Sequence, residues 1–214
     1  MKMTGFVGEM RAVAMKLHTK EQAPKEGGIK APKPVTAWAP TLKGYLQFLA
    51  ESEVVYNAFE SIMQEAAHGE YAKFQNTGLE RTAALREDIQ WMQQTYSLPA
   101  PVVKEDGPGK LYAAHLQQLA RDDPQYLICH YYNYFFAHTA GGRMIGTKVA
   151  QMLLDGKELK FYQYSGDVAE LLDGVRASLN ELAEHWTREQ KDHCLRETAD
   201  AFQYSGKLMK CMTE

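Results

Sequence analysis

Apolar residues recur along most of this chain at the spacing of one helix face. Met10, Val13, Ala14 and Leu17 follow an i, i+3, i+4, i+7 pattern, which predicts a first helix closed by Pro24. Residues 24–40 carry four prolines and the pair Gly27-Gly28, a composition suited to an extended connection with Trp38 as its one anchor. A second stripe, Leu42, Tyr45, Leu46, Leu49, Tyr56, Phe59 and Met63, predicts a helix that starts near Thr41 and ends before Gly69. A third helix is predicted from about Leu79 through Leu85, Ile89 and Met92. Residues 97–109 form a Pro/Gly-rich loop, and a short helix follows through Tyr112, Leu116 and Leu119.

Asp123-Pro124 has the form of an N-cap followed by proline at the first helical position, and it opens a long aromatic helix. After Asp155-Gly156, the residues Val168, Leu171, Leu172, Val175, Leu179, Leu182 and Trp186 give a 3.6-residue repeat. Thr187 and Gln190 have capping-box spacing for one last helix, with a stripe through Leu195, Thr198, Phe202, Met209 and Met212. No run alternates as a strand does and no internal repeat is present. The expectation is an all-α bundle, residues 1–214 forming one domain around one core.

Composition narrows the function classes. The 24 basic and 27 acidic residues leave a net charge of -3, which argues against general nucleic-acid affinity. Cys129, Cys194 and Cys211 are odd in number and lack C-x-x-C spacing, so neither a disulfide framework nor a zinc knuckle is expected. No apolar run reaches the roughly 20 residues that span a bilayer, and the N-terminal residues lack the apolar core of a secretory signal, so the chain reads as soluble.

Candidate chemistry concentrates in residues 129–146. Gly141-Gly142 inside a helix costs roughly 1 kcal/mol per glycine relative to alanine. Two readings account for their presence: close approach of a ligand to bare backbone, or a kink and tight crossing assisted by Gly146. His18 lies at the edge of the first stripe, where an imidazole serves either as an axial metal ligand or as a hydrogen-bonded residue at the core margin. A di-metal centre needs two Glu-x-x-His pairs, and only Glu65/His68 has that spacing. His115, His185 and His193 sit in polar sequence and are expected to be solvated, while His130 and His138 face a pocket or the core. Cys129-His130 are helix neighbours about 100° apart and cannot pair as nucleophile and base. No P-loop or dinucleotide fingerprint is present.

Met15-Lys16-Leu17-His18-Thr19-Lys20 together with Ala137-His138-Thr139-Ala140-Gly141-Gly142-Arg143-Met144-Ile145-Gly146 resemble haem (heme) oxygenase, specifically its plant-type, ferredoxin-dependent branch. The similarity takes in Asn76 to Arg81, Glu184 to Glu189 and His193 to Leu195, and runs from about Val13 to Met212. It implies a heme b group, both cofactor and substrate, sandwiched between a proximal helix bearing His18 as iron ligand and a distal helix bent at Gly141-Gly142. The implied reaction uses dioxygen and opens the ring at the α-meso carbon to give biliverdin IXα, carbon monoxide and ferrous iron.

By the same resemblance, His138 replaces the aspartate that anchors distal water in animal members. Arg11, Tyr132 and Arg176 match the positions that hold the heme propionates, and Phe202 matches an aromatic of the pocket wall. Electrons are implied to come from ferredoxin, for which Arg11, Lys16, Lys20, Arg143 and Lys148 offer a basic docking field. A plastid location, a monomer and a downstream bilin reductase complete the implied picture. A non-catalytic heme or tetrapyrrole carrier on the same fold is the alternative, and a cofactor-free helical interaction module is a third.

Overall fold

The computed structural model describes residues 5–17, 38–66 and 68–214. Their α-helices are α1 Phe6–Leu17, α2 Leu42–Glu65, α3 Thr82–Tyr96, α4 Pro108–Asp122, α5 Pro124–Ala137, α6 Arg143–Leu153, α7 Val168–Glu184, α8 Arg188–Arg196 and α9 Thr198–Lys210. A π turn, His138–Gly142, joins α5 to α6, and short 3-10 turns occupy Gly69–Phe74, Lys160–Tyr162 and Cys211–Thr213. No strand occurs among the described residues, so the fold is all-α. His18 and most of the 24–40 connection lie outside them. Trp38 lies within them, packs partly buried against the core and receives the Lys148 ammonium 5.1 Å from its ring.

Helix α2 is the central rod. It packs against α3, α4, α9 and the C-terminal 3-10 turn, and buries most of its side chains from Gly44 to Met63, leaving Asn57 and Ser61 exposed on one face. Two glycines permit that closeness: a Cβ on Gly44 would lie 2.6 Å from the carbonyl oxygens of Cys211 and Met212, and one on Gly109 would lie 2.6 Å from the Glu51 carbonyl. The core around α2 is aromatic, with Tyr45, Tyr56, Phe59, Tyr71, Phe74, Tyr112, Tyr131 and Phe161 among its fully buried side chains. Large rings contribute much area per residue, and their edge-to-face contacts fix orientation.

The caps written in the sequence form. Thr41 Oγ1 accepts from Gly44 N at 2.9 Å, Asp123 Oδ1 accepts from Tyr126 N at 3.2 Å with Pro124 at the first position, and Thr187 and Gln190 make a reciprocal capping box.

One boundary agrees with the sequence expectation and two differ. Helix α2 ends at Ala66 in the left-handed conformation (φ 45°), before Gly69 is reached. Helix α3 starts at Thr82 instead of near Leu79, because Glu60 of α2 accepts the N–H groups of Arg81 (2.7 Å) and Thr82 (3.0 Å) and so caps α3 from another helix. The expected single C-terminal helix is two, broken at Glu197, whose carboxylate turns inward to accept from buried His130 at 2.8 Å.

Candidate active site

The element expected to be distal is one nearly continuous rod, α5, the π turn and α6. The expected bend at Gly141-Gly142 is a local widening of the helix, in which Arg143 N–H reaches the His138 carbonyl five residues back. Such insertions place an extra residue in one turn and recur at functional positions. Ala137, Ala140, Gly141 and Met144 are exposed and share one face at helical spacing, whereas Tyr131, Tyr134 and Phe135 are buried on the other.

The three glycines have separate physical reasons. A Cβ on Gly141 would meet nothing within 4 Å, so this backbone borders open space. At Gly142 a Cβ would lie 2.8 Å from His138 Nδ1, so the missing side chain makes room for the imidazole. At Gly146 it would lie 2.5 Å from the Tyr162 ring, which presses on α6 there. The tight-contact reading thus holds at Gly146, while at Gly141 the structure shows bare backbone beside open space.

His138 points away from the exposed small-residue face. Its Nε2 lies 3.0 Å from the Phe161 carbonyl, an acceptor only, so Nε2 carries the proton and donates. The ring stacks on Phe161 at 4.0 Å and lies 5.2 Å from Tyr162. Burial, with the nearby positive charges of Arg81 and Arg143, lowers its pKa to about 4 and keeps it neutral, with Nδ1 as the free acceptor. The 161 segment is itself pinned by a residue the sequence did not single out. Asp88 of α3 accepts Lys160 N at 3.0 Å and Phe161 N at 2.7 Å. The aromatic run Phe161, Tyr162, Tyr164 was the available signal; Asp88 carried none.

Tyr132, Arg11 and Arg176 converge from three helices. Tyr132 is buried beside Phe136, at 4.5 Å between rings. Burial pushes its pKa up, and the charges of Arg176 and Arg11 oppose that rise, so both cations reach the same region. Arg176 of α7 lies 5.2 Å from the Phe136 ring and pairs with Asp173 at 2.6 Å, yet its Nε is buried without a hydrogen-bond partner. Phe202 is half-buried on α9, which packs against both α1 and α5. In α1, Met10 is buried but Met15 and Leu17 are 50% and 39% exposed, so the predicted stripe leaves the core at its C-terminal end.

The expectation that His115 and His193 are solvated is corrected. His115 joins His130 and Glu197 in a buried cluster between α4, α5 and the α8/α9 junction. His193 stacks on Tyr126 at 3.9 Å and pairs with Asp123 at 2.6 Å. Short polar sequence neighbours did not reveal partners supplied from other helices.

Residues 33–211 match the family model described as heme oxygenase. This chain belongs to the heme oxygenase family. Over 211 residues it is 51% identical to the chloroplastic heme oxygenase 1 of Arabidopsis thaliana, covering 96% of this chain and 73% of that protein. It is 39% identical over 174 residues to the probable inactive heme oxygenase 2 of the same plant, covering 81% of this chain and 57% of that one. Among solved structures, heme oxygenase-1 of the cyanobacterium Synechocystis in complex with heme superposes with a TM-score of 0.75 at 18% identity, covering 97% of this chain and 91% of the other.

The described residues fit the group that the family handles. A flat apolar ring suits a helix face of Ala137, Ala140, Gly141 and Met144, and two carboxylates suit the cations Arg11 and Arg176, the latter with an unpartnered buried Nε.

Proposed function

We propose that this protein is an oxidoreductase that cleaves heme at the α-meso carbon to biliverdin IXα, carbon monoxide and ferrous iron, using dioxygen and electrons from ferredoxin. Heme is the substrate, and its bound iron supplies the centre at which dioxygen is activated. The observation that carries the reading is Gly141. Its bare backbone faces open space on an exposed small-residue face of the distal rod, in a chain that shares half its residues with a chloroplastic heme oxygenase. The higher identity to that protein than to the probable inactive relative, 51% against 39%, supports the enzyme over a carrier on the same fold.

In this reading His18 holds the iron from the proximal side, although it lies outside the described residues. Arg11, Tyr132 and Arg176 would bind the propionates and so orient the substrate ring. Gly141 lets the distal backbone approach the ring, and Gly142 leaves the space that the His138 imidazole needs. His138 cannot donate to distal water while its Nε2 proton is committed to the Phe161 carbonyl, and with its ring stacked on Phe161 its part is to hold the π turn in place. Phe202 packs against the ring from α9.

Ferredoxin is a small acidic protein, and exposed Arg11, Lys16, Arg143 and Lys148 offer it positive charge. A plastid stroma location is supported by the chloroplastic relative. A monomer acting as a single domain over residues 1–214, with the bilin passed on to a reductase, completes the proposal. No helix among the described residues is long and apolar enough to cross a membrane. The test is to load the protein with heme, supply reduced ferredoxin and dioxygen, and follow the absorption spectrum. Decay of the heme bands with growth of biliverdin is expected. A stable bound spectrum under electron supply would establish the carrier instead.

A further inference from the structure

Three side chains from separate elements turn toward one point. His115 comes from α4, His130 from α5 and Glu197 from the break between α8 and α9, and their ligand atoms all lie within 4.8 Å of one another. The Glu197 carboxylate stands between the imidazoles, with Oε1 at 2.8 Å from His130 Nε2 and 3.3 Å from His115 Nε2. Ligands about 2.0–2.1 Å from a tetrahedral cation stand about 3.3 Å apart, so the two carboxylate–imidazole spacings need to change by at most about half an ångström, and the two imidazole nitrogens, no more than 4.8 Å apart, close by up to about 1.5 Å to take one. A porphyrin cannot enter there, because the carboxylate already fills the gap between the rings.

We infer that His115, His130 and Glu197, none of them among the residues assigned to heme, form a binding site for a divalent transition-metal ion of the zinc or ferrous class. Two imidazoles and one carboxylate are the donor set such ions take, with water completing the shell. The surrounding groups orient the donors. The Tyr112 hydroxyl lies 2.8 Å from His130 Nδ1, and the Tyr204 ring stacks on His115 at 4.9 Å. In the metal-free state His130 donates from Nε2 to Glu197 and accepts from Tyr112. A cation on Nε2 moves that proton to Nδ1, where the Tyr112 oxygen accepts it, so the imidazole stays neutral and is still held by Tyr112.

The protonation states agree with this geometry. Burial holds His130 below its ordinary value, so it is neutral at pH 7. Burial alone would raise Glu197, but the bonds from His130 and His115 outweigh it and leave the carboxyl below its usual range, hence ionised. The site also has an entry: the His130 and Glu197 side chains are 0% and 7% exposed, whereas that of His115 is 25% exposed.

The test titrates the full chain, freed of metal by a chelator, with Co2+ and reads its visible ligand-field bands. Expected is one equivalent bound in four- or five-coordination and displaced by Zn2+. His115→Gln, at the rim of the cluster and so least disturbing to the fold, should weaken that affinity at least about tenfold, and Glu197→Gln should do the same. His193→Gln, which alters the separate His193/Asp123 pair, should leave it unchanged. Only hexa-aqua-like Co2+ bands, or unaltered binding in His115→Gln, or loss of binding in His193→Gln, would overturn the site. None of these readouts depends on heme turnover, so failure here leaves the enzyme reading intact.

Discussion

His138 should give this protein an acid-side instability that one substitution removes. Its ordinary value is 6.5, and burial in the folded state holds it near 4. A histidine depressed in this way binds its proton more readily when the chain is unfolded. Stability is therefore complete above pH 6.5 and falls as the pH drops toward 4. At about 1.4 kcal/mol for each pH unit, the displacement amounts to about 3 kcal/mol at pH 4. The residue as a whole is only half-buried, which makes that figure an upper bound. For a chain of this size about 1 kcal/mol moves Tm by about 2–4 °C, so the effect reaches about 6–12 °C. The assay compares thermal unfolding of heme-free wild type with His138→Gln, whose amide nitrogen can still donate to the Phe161 carbonyl, between pH 7 and pH 4. Other acid-sensitive groups, His130 among them, are common to both proteins and cancel in the difference. Wild type should lose more Tm than the variant over this range. Parallel pH profiles would refute a buried, neutral His138.

Further outcomes follow from the contacts. Gly146→Ala, whose Cβ would meet the Tyr162 ring at 2.5 Å, should destabilise by about 1–3 kcal/mol in urea unfolding. Gly141→Leu, with nothing within 4 Å of its Cβ, should unfold close to wild type yet lose turnover, because the side chain fills the distal face; normal turnover would reject the close approach of backbone to ring. Asp88→Asn removes one of the two carboxylate oxygens that accept Lys160 and Phe161 and should cost about 1–3 kcal/mol, visible as a lower urea midpoint. Ferredoxin-driven turnover should fall steeply as salt is raised from low ionic strength, and a flat response would exclude docking through the basic field.

What the sequence made legible was local. The Asp123-Pro124 start of α5 and the Thr187/Gln190 capping box depend on residues within one turn, so spacing alone reveals them. The start of α3 depends on Glu60, 21 residues earlier, and the break at Glu197 on His130, 67 residues earlier, and no window along the chain contains both partners. The site divides in the same way. Gly141-Gly142 stood out because paired glycines are costly in a helix, whereas the orientation of His138 is set by Phe161 and ultimately by Asp88, neither near it in sequence. Resemblance supplied the roles of Arg11, Tyr132 and Arg176, and the structure adds that the two cations act on one buried phenol.

The most direct measurement of the central claim is an atomic structure of the heme-loaded protein. The account predicts iron bonded to the His18 imidazole, the Gly141 backbone against the opposite face of the ring, and propionates within hydrogen-bond reach of Arg11, Tyr132 and Arg176. Heme seated elsewhere, or iron ligated by any other residue on the proximal side, would contradict it.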